Sequence, residues 1–147
     1  SILLGAINNY GIRMPIDWIP SEANLINKLA SFEKVVDVEN SVTIVEDMID
    51  VFYQLIEKKA EGIFHVTNPG TMKHRDLLAL YKTLVDPTHV CEWITPTELT
   101  QNGLAKKTRS NNFLSSDRLV EHDIHMRPIK EALTDTIRKY AVAEKFV

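Results

Sequence analysis

The chain has 147 residues, 44% of them hydrophobic, and a formal net charge of −3. That is enough apolar material for the core of one compact domain, and it leaves no clustered positive face of the kind nucleic acid requires. No apolar run approaches the ~20 residues of a membrane-spanning helix, and the opening Ser1-Ile2-Leu3-Leu4 lacks the basic start of a signal peptide. The single cysteine, Cys91, has no partner for an internal disulfide, in keeping with a reducing, cytoplasmic setting. Ser1 is not an initiator methionine, as expected of a segment from inside a longer polypeptide.

In chain order, residues 10–16 read as a strand that ends where Pro15 removes a backbone donor. A loop with Asp17, Pro20 and Ser21 follows, and Leu25, Ile26, Leu29 and Ala30 then mark a short helix with Ser21 or Asn24 as its cap. Residues 34–38 form a second strand candidate. Thr43 and Glu46 have the spacing of a capping box. From there Val45, Met48, Ile49, Phe52, Leu55 and Ile56 trace one apolar helical face.

Residues 62–70, Gly-Ile-Phe-His-Val-Thr-Asn-Pro-Gly, carry four large residues between turn signals and read as a short strand buried on both faces, as in a parallel sheet. Leu77, Leu78, Tyr81, Leu84 and Val85 place a helix after it. Because ligands of open α/β sheets bind at the carboxyl ends of strands, the turn over residues 67–74 is the first place to expect ligand contact. Residues 91–94 suit an added strand. Thr95, Pro96, Thr97 and Glu98 suit the start of a brief helix that Gly103 ends. Residues 106–112 are polar and basic without periodicity, Phe113 and Leu114 return to the core, Leu119 and Val120 suggest a helical turn, and Pro128 opens a last helix with Ile129, Leu133, Ile137 and Tyr140 inward. Alternating strands and helices predict one α/β domain over residues 1–147.

Chemistry-bearing residues are sparse. The stretches 122–125 and 89–91 offer a pair each, His122 with His125 and His89 with Cys91, without a companion pair, so no metal site is expected. His65 reads as a packed, hydrogen-bonded strand histidine. His74, at the helix start after the Asn-Pro-Gly turn and partly exposed in this reading, stands between a turn role and ligand contact. Ser115 and Ser116 lack the strand-turn-helix setting of a nucleophile. In the run Lys106-Lys107-Thr108-Arg109-Ser110-Asn111-Asn112, three cations sit among short polar side chains; it reads either as a solvated surface loop or as an anion site, since a guanidinium fork fits phosphate oxygens.

Taken together, Arg13-Met14-Pro15-Ile16, Asn24-Leu25-Ile26-Asn27-Lys28, Lys34-Val35-Val36-Asp37, Asn40-Ser41-Val42-Thr43, Gly62-Ile63-Phe64, Thr67-Asn68-Pro69-Gly70, Tyr81-Lys82 and Arg109-Ser110-Asn111-Asn112 resemble, in order and over nearly the whole chain, the dTDP-4-dehydrorhamnose reductase group of extended short-chain dehydrogenases. Within it the resemblance is greatest to the nucleotide-rhamnose synthases that join 3,5-epimerase and 4-reductase activity. The resemblance implies the carboxyl-terminal half of such an enzyme: the end of a Rossmann-type parallel sheet plus the small α/β substrate-binding domain. It implies Met14 and Pro15 beside the nicotinamide of NADP, Asn24 at a helix start facing the diphosphate of a nucleotide sugar, Arg109 holding the diphosphate or nucleotide, and Asn112 supporting that loop. His74 joins them as a substrate-binding candidate.

Two features of the group are missing. No Gly-x-Gly-x-x-Gly turn is present, and no tyrosine has a lysine four residues later, although that pair protonates the sugar oxygen while hydride arrives from NADPH. The cofactor-binding half, and NADP with it, therefore belongs mainly to an amino-terminal portion outside this chain, which alone should be inactive. The resemblance leaves a homodimer open. A non-catalytic, reductase-like regulatory or protein-interaction subunit is the alternative reading.

Overall fold

A computed structural model describes residues 9–95, 97–98 and 113–146. Its elements are β1 (Asn9–Gly11), β2 (Pro15–Ile16), α1 (Leu25–Ser31), β3 (Lys34–Val36), β4 (Glu39–Asn40), β5 (Thr43–Ile44), α2 (Val45–Glu57), β6 (Ile63–His65), β7 (Met72–Lys73), α3 (His74–Leu84), β8 (Glu92–Ile94), α4 (Asp117–Glu121) and α5 (Ile129–Glu144). The α/β class expected from the sequence is what the chain forms. The strands are very short and pair in twos: β1 with β6, β2 with β5 and β3 with β8 in parallel, and β4 with β7 antiparallel.

The first strand departs from expectation. Residues 10–16 are not one strand ended by Pro15. The chain pairs with β6 up to Gly11, turns through Met14 at φ 45°, and then takes up β5, with Pro15 opposite Thr43 as the first residue of β2. Proline is tolerated there because the opening of a strand can dispense with a donor.

The Thr43 capping box does not form. Thr43 lies inside β5, where its hydroxyl accepts from the Arg13 N–H (3.0 Å) and donates to the Val66 carbonyl (2.6 Å). Ile44 occupies the α2 cap position, and Glu46 and Asp47 supply negative charge to the first turn. At the other end Lys59 is left-handed (φ 53°), with the Ala60 N–H on the Leu55 carbonyl (3.0 Å). A helix stop of this kind favours glycine. Because Lys59 is exposed, Lys59→Gly is expected to stabilise the protein by about 0.5–1 kcal/mol, read from the midpoint of urea unfolding.

Two apolar clusters hold the fold. The larger gathers Ile16, Ile26, Val35, Ile44, Met72 and Leu77 with the inward face of α5, where Ile129, Leu133, Ile137 and Tyr140 are all buried as their spacing requires. The smaller joins Val51 and Leu55 of α2 to Phe64, Val66, Leu119 and Ile124. β6 is therefore covered on one face only: Phe64 is fully buried, while Ile63 and His65 on the opposite face are exposed. The expectation of a strand buried on both faces, with a packed His65, is corrected on this point, since one residue in two reaches the apolar cluster. Phe113 is likewise exposed rather than returned to the core. Gly62 has φ 111° and lies against the Arg118 guanidinium, which in turn covers the Phe64 ring at 5.0 Å. A Cβ there would press on that stack.

Tyr140 is 2% exposed, and its burial, reinforced by Glu144 and Tyr81, pushes the phenol up to about 12. The fold favours the neutral form, so this contribution is complete below the ordinary value of 10.0 and lost as pH rises through about 12. The urea midpoint should fall across that window, and Tyr140→Phe should remove most of the fall. An unchanged slope in the variant would mean that other groups titrate there.

Candidate substrate and cofactor site

The place to look in a parallel sheet is the crevice where strand order changes, because there the strand ends diverge. Here that place is the step from β1 to β2. The Thr43 side chain and the Thr43 N–H on the Arg13 carbonyl (2.8 Å) fasten one side of the step, and the Val66 N–H on the Gly11 carbonyl (2.8 Å) fastens the other. The left-handed backbone at Met14 results, a conformation that costs a non-glycine residue about 1–2 kcal/mol and persists only where its surroundings fix it. The Met14 side chain packs at the edge of the larger cluster, and Pro15 is exposed beside it.

Asn24 closes the next loop. It caps α1 by accepting from the Ile26 N–H (3.2 Å) and the Asp17 N–H (3.4 Å), and its amide donates to the Asp17 and Ile19 carbonyls. The residue is 4% exposed. Its side chain therefore shapes residues 17–19, directly after Pro15 and Ile16. Met14, Pro15 and Asn24 thus belong to one neighbourhood. The same loop contributes Trp18 to an apolar hollow of about 620 Å³ shared with Arg138, Val142, Ala143 and Phe146.

His74 lies elsewhere, at the carboxyl end of β3. It is buried rather than partly exposed: its backbone N–H meets the Val38 carbonyl (3.1 Å) and ring Nδ1 meets the Val36 carbonyl (2.9 Å). Of its two sequence readings, this geometry favours the turn role. Arg109 and Asn112 fall outside the described residues, as does most of the brief helix expected after Thr95. The start of that helix is present in the Glu98 N–H on the Thr95 hydroxyl (3.0 Å).

The turn over residues 67–74 is a packing hub more than an opening. Thr67 and Asn68 are 1% exposed. Asn68 accepts from the Ile44 N–H (2.8 Å) and donates to Asp47 (2.8 Å) and the Arg127 carbonyl (3.0 Å). Asp47 in turn receives the Arg127 guanidinium through Nε (3.1 Å) and a terminal nitrogen (2.9 Å), while the other terminal nitrogen reaches Asp135 (2.9 Å). Lys139 completes the network on Glu46 (2.7 Å) and Asp135 (3.3 Å). The hydrogen bond to Asp47 raises the Arg127 pKa further above its already high value, and the one from Arg127 holds Asp135 below the usual carboxylate range. Asp47, Arg127, Asp135 and Lys139 did not stand out in the sequence, because the network is long-range: Asp47 and Arg127 are 80 positions apart.

Among the described residues no group of three or more metal-type ligands forms. His122 bonds the Arg118 carbonyl (2.8 Å), His125 bonds Asp123 (3.1 Å), and His89 bonds the Ala30 carbonyl (3.1 Å). Nor is any helix among them long and apolar enough to cross a membrane.

No family model matches the chain. It is 33% identical over 123 residues to a bifunctional dTDP-4-dehydrorhamnose 3,5-epimerase/dTDP-4-dehydrorhamnose reductase of Arabidopsis thaliana, a match covering 83% of this chain and 40% of that protein. The crystal structure of a UDP-rhamnose synthase from Acanthamoeba polyphaga mimivirus superposes with a TM-score of 0.80 at 30% identity, over 89% of this chain and 45% of that one. Over most of its length the chain is thus similar to part of the dTDP-4-dehydrorhamnose reductase and UDP-rhamnose synthase group.

A dTDP-4-dehydrorhamnose reductase of Bacillus anthracis, solved with NADP, shares the reductase fold at a TM-score of 0.66 and 15% identity, covering 88% of this chain and 47% of that one. The α/β fold is the one that these solved relatives share, and their names tie those proteins, as wholes, to rhamnose synthesis. This reductase-like chain spans less than half the length of each of the three.

Proposed function

We propose that the chain is the carboxyl-terminal, nucleotide-sugar-binding portion of an NADPH-dependent reductase acting on a dTDP- or UDP-linked 4-keto-6-deoxyhexose on the way to rhamnose. The observation that carries this reading is the strand switch at Met14. The reductase-like sequence matches the family's blocks in order, and at the block Arg13-Met14-Pro15-Ile16 the backbone is held in a costly conformation at the carboxyl end of β1.

In this reading Met14 and Pro15 offer an apolar wall suited to the flat nicotinamide ring of NADP. The chain has no glycine-rich turn to cradle a pyrophosphate, so the cofactor is held mainly by the amino-terminal portion. NADP supplies hydride when bound. The Asn24 loop shapes the entrance, and Arg109, supported by Asn112, grips the diphosphate. With no Tyr-x-x-x-Lys pair in the chain, the proton must come from outside it.

The test is NADPH oxidation by the full-length protein given a UDP- or dTDP-linked 4-keto-6-deoxyhexose. Consumption of NADPH that depends on the sugar is expected. A protein that binds the nucleotide sugar yet leaves NADPH unchanged would instead be the non-catalytic, reductase-like subunit.

A further inference from the structure

Leu114 is held by a single distant side chain. The Ser41 hydroxyl, in a residue only 1% exposed between β4 and β5, accepts from the Leu114 N–H (2.7 Å) and donates to the Leu114 carbonyl (3.3 Å). One hydroxyl can do both, because it carries a donor and two acceptor lone pairs. It thus pins the backbone of a residue 73 positions away, as the opposite residue of an antiparallel strand would.

Phe113, the residue just before this clasp, is 59% exposed and belongs to neither apolar cluster. Among the described residues its ring meets no other ring and no cation. One exposed apolar side chain needs no explanation by itself. Two further facts single this one out. Phenylalanine beside a pinned backbone has only two side-chain torsions left to order, so offering its ring to a ligand costs little entropy. The pin is also close to the strand switch, since Ser41 lies two residues before Thr43, whose hydroxyl and N–H hold Arg13 beside Met14 (3.0 and 2.8 Å).

We infer that Phe113 is the surface on which the base of the nucleotide sugar stacks, and that Ser41 is the positioning residue that holds it in place. The inference rests on the proposed function and adds the residue that meets the base. That end of the ligand is left unread by Met14, Pro15, Asn24 and Arg109. Every base has a π face, so a phenyl ring adds affinity for uracil and thymine alike. Phe113 therefore strengthens binding without choosing between UDP- and dTDP-linked sugars.

Calorimetric titration of the full-length protein with UDP and with dTDP tests this. Phe113→Ala should weaken both by about 10-fold. Phe113→Leu, which keeps apolar bulk but no ring, should lose nearly as much, and Phe113→Trp should bind at least as tightly as the parent. Because the residue is exposed, all three should unfold at the parent's urea midpoint. Ser41→Ala should weaken both nucleotides by about 3- to 5-fold, the worth of a lost hydrogen bond, and should have no further effect once Phe113 is alanine. A Ser41 that merely stabilised the fold would not show that coupling, so additive losses overturn its positioning role. Parental affinity in Phe113→Ala, or in Phe113→Leu, overturns the stacking surface, and these two variants decide even if Ser41→Ala fails to fold. Arg109→Ala separates the outcomes: loss of binding there without loss in Phe113→Ala puts the base elsewhere and leaves the proposed function standing, whereas a parent protein that binds neither nucleotide removes both.

Discussion

Alanine at position 109 is expected to weaken binding of UDP- or dTDP-rhamnose to the full-length protein by about 30- to 100-fold, while leaving the unfolding midpoint unchanged. The reason is chemical. A guanidinium fork on a diphosphate makes charge-assisted, bidentate hydrogen bonds, and losing them costs about 2–3 kcal/mol. Arg109→Lys should recover only part of the affinity, because an ammonium keeps the charge but loses the fork. Raising the salt concentration should narrow the gap between the two variants, since what separates them is a charge that salt screens. Equal affinities for wild type and Arg109→Ala would take the diphosphate away from this loop and return the run from Lys106 to Asn112 to a solvated surface.

Arg127→Ala is expected to be the costliest substitution of a charged residue for stability, at about 2–3 kcal/mol by urea unfolding. Removing one partner from a partly buried pair leaves the other desolvated and unpaired, and Asp47, with a side chain only 13% exposed, keeps just the Asn68 amide. The loss should depend on pH with a definite sign. Arg127 holds Asp135 below the ordinary carboxylate range, so that contribution is present above about pH 4 and disappears as pH falls through the lowered value. Wild type and variant should therefore converge in acid. Asp135→Asn should cost less than Arg127→Ala, because Asp135 is 38% exposed and asparagine keeps an oxygen that can accept from Arg127. If Arg127→Ala were neutral, the docking of α5 onto the start of α2 would rest on its apolar face and the Lys139–Glu46 pair.

What could be read in advance follows from how local each signal is. The run of α5 was legible because four residues at helical spacing share a single core and Pro128 marks its start. Asn24 as the cap of α1 followed from the residue types that cap helices. Two of the errors are places where long-range pairing overrules a local pattern. Thr43 has capping-box spacing, but its hydroxyl is claimed by Arg13, between β1 and β2, and by Val66, just after β6. Pro15 looks like a strand end when only its missing N–H is considered, whereas the pairing with Thr43 makes it a beginning. The 67–74 turn was the first place to expect ligand contact, and its Asn68 is drawn inward by Ile44, Asp47 and Arg127, none of them a sequence neighbour. For the candidate site, the block at Met14 and Pro15 was visible through family resemblance, but the left-handed turn that makes it a strand switch was not, because methionine gives no local sign of positive φ.

The apolar face of α2 was read as one stripe from Val45 to Ile56, and only coordinates separate the side that packs on Phe64 from the exposed side at Ile49, Tyr53 and Ile56. Sequence periodicity counts apolar residues without knowing how many neighbours they serve.

Calorimetric titration of the full-length protein with UDP-rhamnose and dTDP-rhamnose asks most directly whether this chain grips a nucleotide sugar. A saturable, one-to-one heat with at least one of them, diminished by Arg109→Ala and preserved in Lys59→Gly, is the predicted result. No heat with either ligand, from a protein that unfolds cooperatively, would contradict it.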